Sequence, residues 1–160
     1  LGNVYVHGGL GFRVEAAHAG WQILKGKAAR DLHPSATMAM TCDPGFFALV
    51  IVKEVPGASL EQYAENVVPS LKPIERTESE ARAVDGRKAI VRTFRGKKQE
   101  VDFVFRILVA EEGDRKFQVV CWTLAPDYDR PEGKEQIGRI LDSFRFLSPG
   151  TAGDGEPGKK

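Results

Sequence analysis

Cysteine is scarce in this sequence, since only Cys42 and Cys121 carry a thiol among its 160 residues. Two cysteines are too few for the disulfide framework that supports many small extracellular domains. Both lie in predicted strands, where a cysteine usually behaves as a small buried hydrophobic residue. A disulfide between them requires Cα atoms within about 7 Å of each other, so the sequence leaves their pairing open.

The sequence also lacks long apolar runs and an excess of one charge. No run approaches the roughly 20 apolar residues of a membrane-spanning helix, so we expect no transmembrane segment. The net charge of +1, from 23 basic and 22 acidic residues, provides no overall attraction to nucleic acid or to an anionic membrane. The chain begins at Leu1 rather than at Met and has a linker-like end. We therefore interpret it as a fragment of a larger bacterial protein, of undetermined localisation.

Motifs that carry out catalysis or hold a cofactor are missing as well. The glycines at residues 9–11 lack the third glycine of a dinucleotide-binding loop. Gly26-Lys27 is followed by Ala28, where a phosphate-binding loop has Ser or Thr. The potential zinc ligands lack the close pairing that structural zinc sites show, and we expect no cofactor, no metal and no enzymatic activity. These potential ligands are His7, His18, His33 and Cys42.

What the sequence does contain is enough apolar material for one good core. With 42% hydrophobic residues and a length typical of one domain, residues 1–147 are predicted to form a single domain. The remaining residues 148–160 consist almost entirely of Gly, Pro, Ser and charged residues. We predict that this tail is disordered, because it cannot bury apolar area.

The stretch at residues 101–123 is the predicted centre of the fold. It has the pattern of a long β-hairpin, in which residues 111–114 form a polar turn between two apolar runs. In the first run, Phe103, Phe105 and Ile107 alternate onto one face, while Val104 and Leu108 occupy the other. Because both faces are apolar, this hairpin should lie in the middle of a sheet that is covered on both sides.

Six further strands are predicted around this hairpin. A two-residue turn at Asp85-Gly86 places Glu80 opposite Val91, which mixes charged and apolar side chains and predicts a bulge or an exposed sheet edge. The stretches at 17–34 and 125–131 show no regular pattern and are expected to be irregular. Apolar alternation and turn signals indicate the six strands at residues 3–7, 12–16, 35–42, 46–52, 78–84 and 87–94.

Two amphipathic helices complete the prediction. Ser59 and Gln62 form a capping box at the start of the first helix, and Pro69 should kink or end this helix near Val68. The second helix should end near Phe146. Hairpin-joined strands with helical cover predict an α/β fold, specifically a three-layer α/β/α sandwich with a central antiparallel sheet and helices on both faces. The apolar stripe of the first helix consists of Leu60, Tyr63, Ala64, Val67 and Leu71, and that of the second consists of Ile137, Ile140, Leu141 and Phe144.

Three motifs resemble the PsbP-like superfamily, which groups the photosystem extrinsic protein with the Ran-binding Mog proteins and many small bacterial domains. They are Gly20-Trp21 after the strand that contains Phe12, the turn at residues 84–89 (VDGRKA), and the closing segment at residues 140–146 (ILDSFRF). Their order and spacing over residues 5–147 carry the resemblance. It implies a non-catalytic fold used for docking and assembly. It transfers no active site, because these motifs look structural.

One basic run and two tryptophans are the candidate binding residues. The run is not interrupted by an acidic residue before Glu100, and we expect its last four residues to form a loop around Gly96. It could dock an acidic partner or a phosphate-bearing ligand, or it could be a solvated sheet edge. Nucleic acid is the partner supported least, because only one aromatic residue interrupts the charges. The candidates are Arg92, Phe94, Arg95, Lys97 and Lys98 of the basic hairpin, together with Trp21 and Trp122.

Three functional interpretations follow from the sequence. The first is a non-enzymatic protein-interaction or accessory and assembly module, with a protein as the partner. The second is a small-molecule or lipid-binding domain, with a pocket near Trp21 and Trp122 at the end of the sheet. The third is an enzyme that uses two carboxylates distant in sequence. A ligand-binding domain should contain an apolar cavity, whereas a docking module should show an exposed patch.

Overall fold

A seven-stranded antiparallel sheet dominates the computed structural model, which describes residues 3–147. The strand order is β3-β4-β5-β9-β8-β7-β6. The predicted hairpin forms β8 and β9, and β9 lies between β8 and β5 near the centre of the sheet. The bounds of these strands are β3 Gln22–Lys25, β4 Ala36–Cys42, β5 Phe46–Glu54, β6 Ile74–Val84, β7 Arg87–Lys98, β8 Val101–Glu112 and β9 Arg115–Leu124.

Both faces of the central strands are buried, as the sequence predicts. On β8, Val104 and Leu108 belong to one core cluster and Ile107 and Val109 belong to another. Side chains alternate between the two faces of a strand, so the two clusters lie on opposite sides of the sheet. The sheet therefore separates two hydrophobic cores that are covered by different elements.

The first core is covered by a second sheet and by two helices. The second sheet has the order β1-β2-β10, with β1 at Val4–His7, β2 at Phe12–Glu15 and β10 at Arg145–Phe146. The helices are α3 at Ala125–Tyr128 and α4 at Pro131–Ser143. The second helix predicted from the sequence is α4, which ends at Ser143 because the chain enters β10. Fully buried side chains at this interface include Phe12, Phe117, Ile137, Ile140, Leu141 and Phe144.

The opposite face is covered by two short helices, α1 at Gly26–Leu32 and α2 at Leu60–Glu65. The predicted capping box is present at the start of α2, where the Ser59 Oγ accepts from the Gln62 amide at 3.1 Å and the Gln62 Oε1 accepts from the Ser59 amide at 3.0 Å. The helices have seven and six residues and do not cover the face completely. The α/β class and the antiparallel sheet are confirmed, whereas a complete three-layer sandwich is not.

The stretch at residues 17–34 is more regular than predicted, since it contains β3 and α1. β3 is only four residues long, too short for a clear alternation. α1 begins without a side-chain cap and is held by packing of the buried Ala29. In the stretch at 125–131, likewise expected to be irregular, one turn of helix forms as α3.

The predicted loop around Gly96 is wrong, because β7 continues without interruption to Lys98. A Cβ atom at Gly96 would overlap the carbonyl oxygen of Pro73. The glycine therefore permits a close approach of the chain rather than a turn. The reversal occurs instead at Gln99 and Glu100, whose φ angles are 53° and 68°.

The edge strand β6 confirms the expected register, with Glu80 opposite Val91. A shift in register between Arg76 and Glu78 marks the predicted bulge, and most of the strand is exposed. Across the described residues, no helix combines the length and the apolar character that a membrane span requires. The predicted disordered tail lies outside the described residues.

Candidate functional site

An open groove of about 380 Å³ lies on the sheet face that α1 and α2 cover incompletely. We call it the sheet groove. Its floor is formed by side chains of β5 and of the hairpin β8–β9, which are neighbours in the sheet although β5 is distant from the hairpin in sequence. The floor residues are Leu49, Ile51, Phe103, Phe105, Ile107, Gln118, Val120 and Trp122.

The aromatic part of the floor is organised around Trp122. The strand register places Trp122 directly opposite Phe47 on one side and Phe105 on the other. The ring centroids of Trp122 and Phe47 are 5.2 Å apart and those of Trp122 and Phe105 are 5.4 Å apart, with nearly parallel planes. Phe103 extends this aromatic surface, with its ring tilted against Phe105 at 6.4 Å. The stacked rings form a flat apolar surface that is only half-buried.

The walls of the sheet groove come from the ends of the two short helices. Leu32 and His33 at the end of α1 form one wall, and residues 66–70 after α2 form the other. α2 ends four residues before Pro69, earlier than predicted, and this leaves Val68 outside the helix. Val68 is 53% exposed although it is apolar. An exposed valine beside aromatic rings extends the apolar surface to the edge of the groove.

Among the described residues that line the groove, the only charged side chains are those of Lys53 and Lys98. Neither lysine is in an ion pair within residues 3–147. Lys53 lies on β5 at one end of the groove, and Lys98 lies at the end of β7, beyond Phe103. The groove is thus apolar along its floor and positive at its ends.

An ion pair with one buried partner lies next to Lys53. The register places Lys116 of β9 directly opposite Lys53 and, on the other side, directly opposite Glu111 of β8. The Lys116 side chain is 1% exposed, and its Nζ is 2.9 Å from the Glu111 carboxylate. The neighbouring Gln118 donates from its Nε2 to the Tyr63 hydroxyl at 2.7 Å. Lys116 therefore pairs with Glu111, and Gln118 pairs with Tyr63 of α2.

The structure does not bring the predicted basic run together on one surface. Alternation along β7 places Arg92, Phe94 and Lys98 on the groove face and Arg95 and Lys97 on the opposite face. Phe94 is buried in the core. Five of the six cationic residues of β7 form ion pairs, and Lys98 is the exception among the described residues. The pairs are Arg87–Glu112, Lys88–Glu61, Arg92–Glu65, Arg95–Asp129 and Lys97–Asp102.

The pair between Arg95 and Asp129 shows how these charges are used. The guanidinium donates to both carboxylate oxygens, with the shorter contact at 2.7 Å. This contact raises the pKa of Arg95 and lowers the pKa of the Asp129 carboxyl. The arginine also lies 5.6 Å from the ring centroid of Tyr128. Arg95 therefore attaches the short helix α3 to the sheet.

The two candidate tryptophans lie on opposite faces of the main sheet. Trp122 lines the sheet groove, whereas Trp21 belongs to the other core. The Trp21 indole is buried against Phe46, and its Nε1 donates to the Gln136 side-chain oxygen at 2.8 Å. His18 contacts the same oxygen through its Nε2 at 2.9 Å. Trp21 thus links the first core to α4 and does not line the groove.

Both cysteines are free thiols in the structure. Cys121 is fully buried, and burial raises its pKa to about 12. Burial, together with the neighbouring charge of Asp43, also raises the pKa of Cys42. Both shifts disfavour the nucleophilic thiolate. Within residues 3–147, no cluster of three or more His, Cys, Asp or Glu side chains is arranged to hold a metal ion.

Comparisons with known proteins identify the fold. No protein-family model matches the sequence, and the comparison with curated proteins produces no match. Among solved structures, the chain is similar to cyanobacterial PsbP from Synechocystis, with a TM-score of 0.65, 17% identity and coverage of 92% of this chain and 94% of that one. LpqN of Mycobacterium tuberculosis, which is involved in cell envelope biogenesis, has a TM-score of 0.65, 12% identity and coverage of 91% and 92%.

A third structure, from Bacteroides thetaiotaomicron, has a TM-score of 0.59 and 7% identity, and the match covers 92% of this chain but 49% of that one. The fold is therefore PsbP-like, and the resemblance that the three motifs indicate is confirmed at the level of the fold. At these identities, fold similarity alone does not transfer a function. Function depends on particular sites, and the sheet groove is the candidate site of this chain.

Of the residues that line the sheet groove, only Trp122 and Lys98 were among the candidates named from the sequence. Its floor combines residues of β5 with residues of β8 and β9, and the pairing of β5 with β9 joins positions about seventy residues apart along the chain. Phe47, Trp122 and Phe105 form one row only because β9 lies between β5 and β8 in the sheet. Lys53 was missed because it lies outside the basic run.

Proposed function

We propose that this domain is a non-enzymatic binding module, used as an accessory or assembly component, and that the sheet groove is the surface by which it holds its partner. One observation carries this proposal. The groove leaves a row of stacked aromatic rings partly exposed, whereas most apolar side chains of residues 3–147 are buried in the two cores. A concave surface lined by apolar and aromatic side chains with a few polar groups at its ends is a common form of binding site.

The composition of the groove supports binding rather than catalysis. Its described lining contains one histidine, His33, and no carboxylate or thiol. A nucleophile and a base within hydrogen-bonding reach of each other are the usual minimum for covalent catalysis. PsbP-like and LpqN-like neighbours fit an accessory or assembly role.

A small-molecule or lipid-binding function is the second candidate, and the volume of the groove favours it. Ligand pockets commonly measure about 300–1,000 Å³ and are lined mainly by hydrophobic and aromatic side chains, and the sheet groove fits this description. The site for such a ligand is at Trp122 and not at Trp21. Of the basic run, only Lys98 contributes to it.

Site-specific photo-crosslinking tests the proposed binding surface. A photoreactive phenylalanine analogue at Val68, on the edge of the groove, should form a discrete adduct in lysate of the source cells. The same analogue at the exposed Glu132 of α4, which packs on the other face, is the matched control. An adduct at Val68 would support the proposed binding surface if it disappears when the substitution Phe103→Glu is added to the same protein. Equal adducts at both positions, or none at Val68, would contradict the proposal.

A further inference from the structure

We propose that the sheet groove binds the apolar chain of a soluble single-chain amphiphile, and that the anionic head group of this ligand lies at Lys98. The inference rests on the second candidate of the proposed function, a small-molecule or lipid-binding domain, because it assigns a ligand class to the same groove. The chain would lie along the aromatic row formed by Trp122, Phe105 and Phe103, between the walls at His33 and Val68.

The backbone around the groove favours an alkyl chain over a peptide. The floor strands β5, β9 and β8 are all interior strands of the sheet, and each is paired on both sides. Their backbone hydrogen bonds are therefore used within the sheet, and no free strand edge is available to pair with a peptide. A peptide would place its N–H and C=O groups against apolar side chains, where unpaired polar groups are costly. An alkyl chain carries no such groups.

The charges of the groove favour an anionic head group. Lys53 and Lys98 lack ion-pair partners within residues 3–147, although most arginines and lysines of the neighbouring strands have one. No described Asp or Glu lines the groove. A negative group would meet attraction at either end and no carboxylate along the way. A cationic head group would meet only repulsion.

The end of the groove at Lys98 is the better position for the head group. The Lys72 amide donates to the Lys97 carbonyl at 2.7 Å and the Lys97 amide donates to the Pro73 carbonyl at 3.1 Å, and these bonds bring the chain after α2 alongside the end of β7. Ser70 and Lys98 therefore lie at the same end and both line the groove.

Calorimetric titration with alkyl phosphates below their micelle concentrations tests this inference. Each added methylene that is buried should contribute about 0.8 kcal/mol, so decyl phosphate should bind about fifteenfold more tightly than octyl phosphate. Decyltrimethylammonium, with an equal chain and the opposite charge, should bind at least tenfold more weakly. The variant Lys98→Glu should weaken binding of decyl phosphate at least tenfold and have less effect on a neutral decyl maltoside.

The matched control is Lys25→Glu, at an exposed lysine that has no ion pair within the described residues and does not line the groove. It should leave the affinity for decyl phosphate within twofold. Val68→Glu should weaken decyl phosphate and decyl maltoside alike. Since Lys98 and Val68 are both exposed, these variants should have the same melting temperature as the wild-type protein. A melting curve for each variant checks this.

Several results would overturn the inference. They are equal binding of decyl phosphate by the wild type and Lys98→Glu, no dependence on chain length, and co-sedimentation with phosphatidylglycerol vesicles, which would point to a bilayer lipid instead. Adducts at Val68 without any alkyl phosphate binding would overturn the ligand class and leave the proposed function standing. Binding of decyl phosphate without any adduct at Val68 would support the ligand class and contradict a macromolecular partner.

Discussion

Trp122 and Phe105 stack face to face across neighbouring strands, with ring centroids 5.4 Å apart and ring planes 10° apart. Directly opposite residues of an antiparallel pair have side chains close enough to interact, and the register makes these two residues partners. The stack is therefore a consequence of strand pairing rather than of a bound ligand. The apolar floor of the sheet groove is preformed.

Replacing Trp122 should measure what the aromatic row contributes to stability. Trp122→Ala removes two stacked pairs, and each such pair contributes about 0.5–1.5 kcal/mol beyond the buried area. We expect the free energy of unfolding from chemical denaturation to fall by at least the sum of these pairs. Trp122→Phe retains an aromatic ring and should lose much less. Equal losses in the two variants would show that stacking is not the stabilising interaction.

The ion pair between the buried Lys116 and the partly exposed Glu111 provides a second prediction. Glu111→Ala would leave the ammonium of Lys116 buried without a partner, and breaking a buried ion pair in this way costs about 3–5 kcal/mol. Urea unfolding should show a loss of this size. Combining the change with Lys116→Met should recover most of the loss, because an apolar side chain of similar length needs no partner.

The adjacent Glu112 is the matched control for this experiment. It pairs with Arg87 at 3.2 Å, but both side chains are more than a third exposed, and exposed pairs contribute about 0–1 kcal/mol. Glu112→Ala should therefore have little effect. If Glu111→Ala and Glu112→Ala destabilise the protein equally, burial is not what makes the Lys116 pair important.

Local sequence signals predicted the elements that depend on local chemistry. The capping box of Ser59 and Gln62 and the turn at Asp85-Gly86 both form as expected, because each needs only a few neighbouring residues. The register of β6 and β7 follows from that turn. In contrast, the turn at Gln99 and Glu100 has left-handed backbone angles without Gly, Asn or Asp, so no residue-type signal marks it.

The sheet groove depends on features that no local pattern contains. Trp122 and Lys98 were separate candidates in the sequence, and they line one groove only because β9 pairs with β5 and β7 continues past Gly96. The basic run looked like a surface because its residues are consecutive in sequence. Strand alternation then separates Arg95 from Lys98, and carboxylates from α2, α3 and β8 neutralise most of the run.

Gly96 permits a test of the corrected boundary of β7. Gly96→Ala would place a Cβ against the Pro73 carbonyl and the Leu71 side chain, and overpacking of this kind typically costs about 1–3 kcal/mol. Gly45→Ala is the control, because no atom lies within 4 Å of a Cβ at that position. It should change stability by no more than about 0.5 kcal/mol. A neutral Gly96→Ala would indicate a loop at this position.

The cysteines should differ from catalytic thiols in their reactivity. Because the pKa of Cys121 is about 12, its thiolate is negligible at neutral pH and it should resist Ellman's reagent in the folded protein. Cys42 is partly exposed and should react slowly, with a rate that increases with pH. Unfolding in guanidinium should release two reactive thiols. Rapid reaction of Cys121 in the native protein would contradict the structure.

The two indole N–H resonances in a nitrogen-15 correlation spectrum test the central claim most directly, because Trp122 lies in the sheet groove and Trp21 lies in the core on the other face of the sheet. The variants Trp122→Phe and Trp21→Phe assign them. On titration with decyl phosphate, the resonance of Trp122 should shift with ligand concentration while that of Trp21, bonded to Gln136, stays in place. A saturable shift of Trp21 alone, or binding that moves neither resonance, would show that the sheet groove is not the binding site.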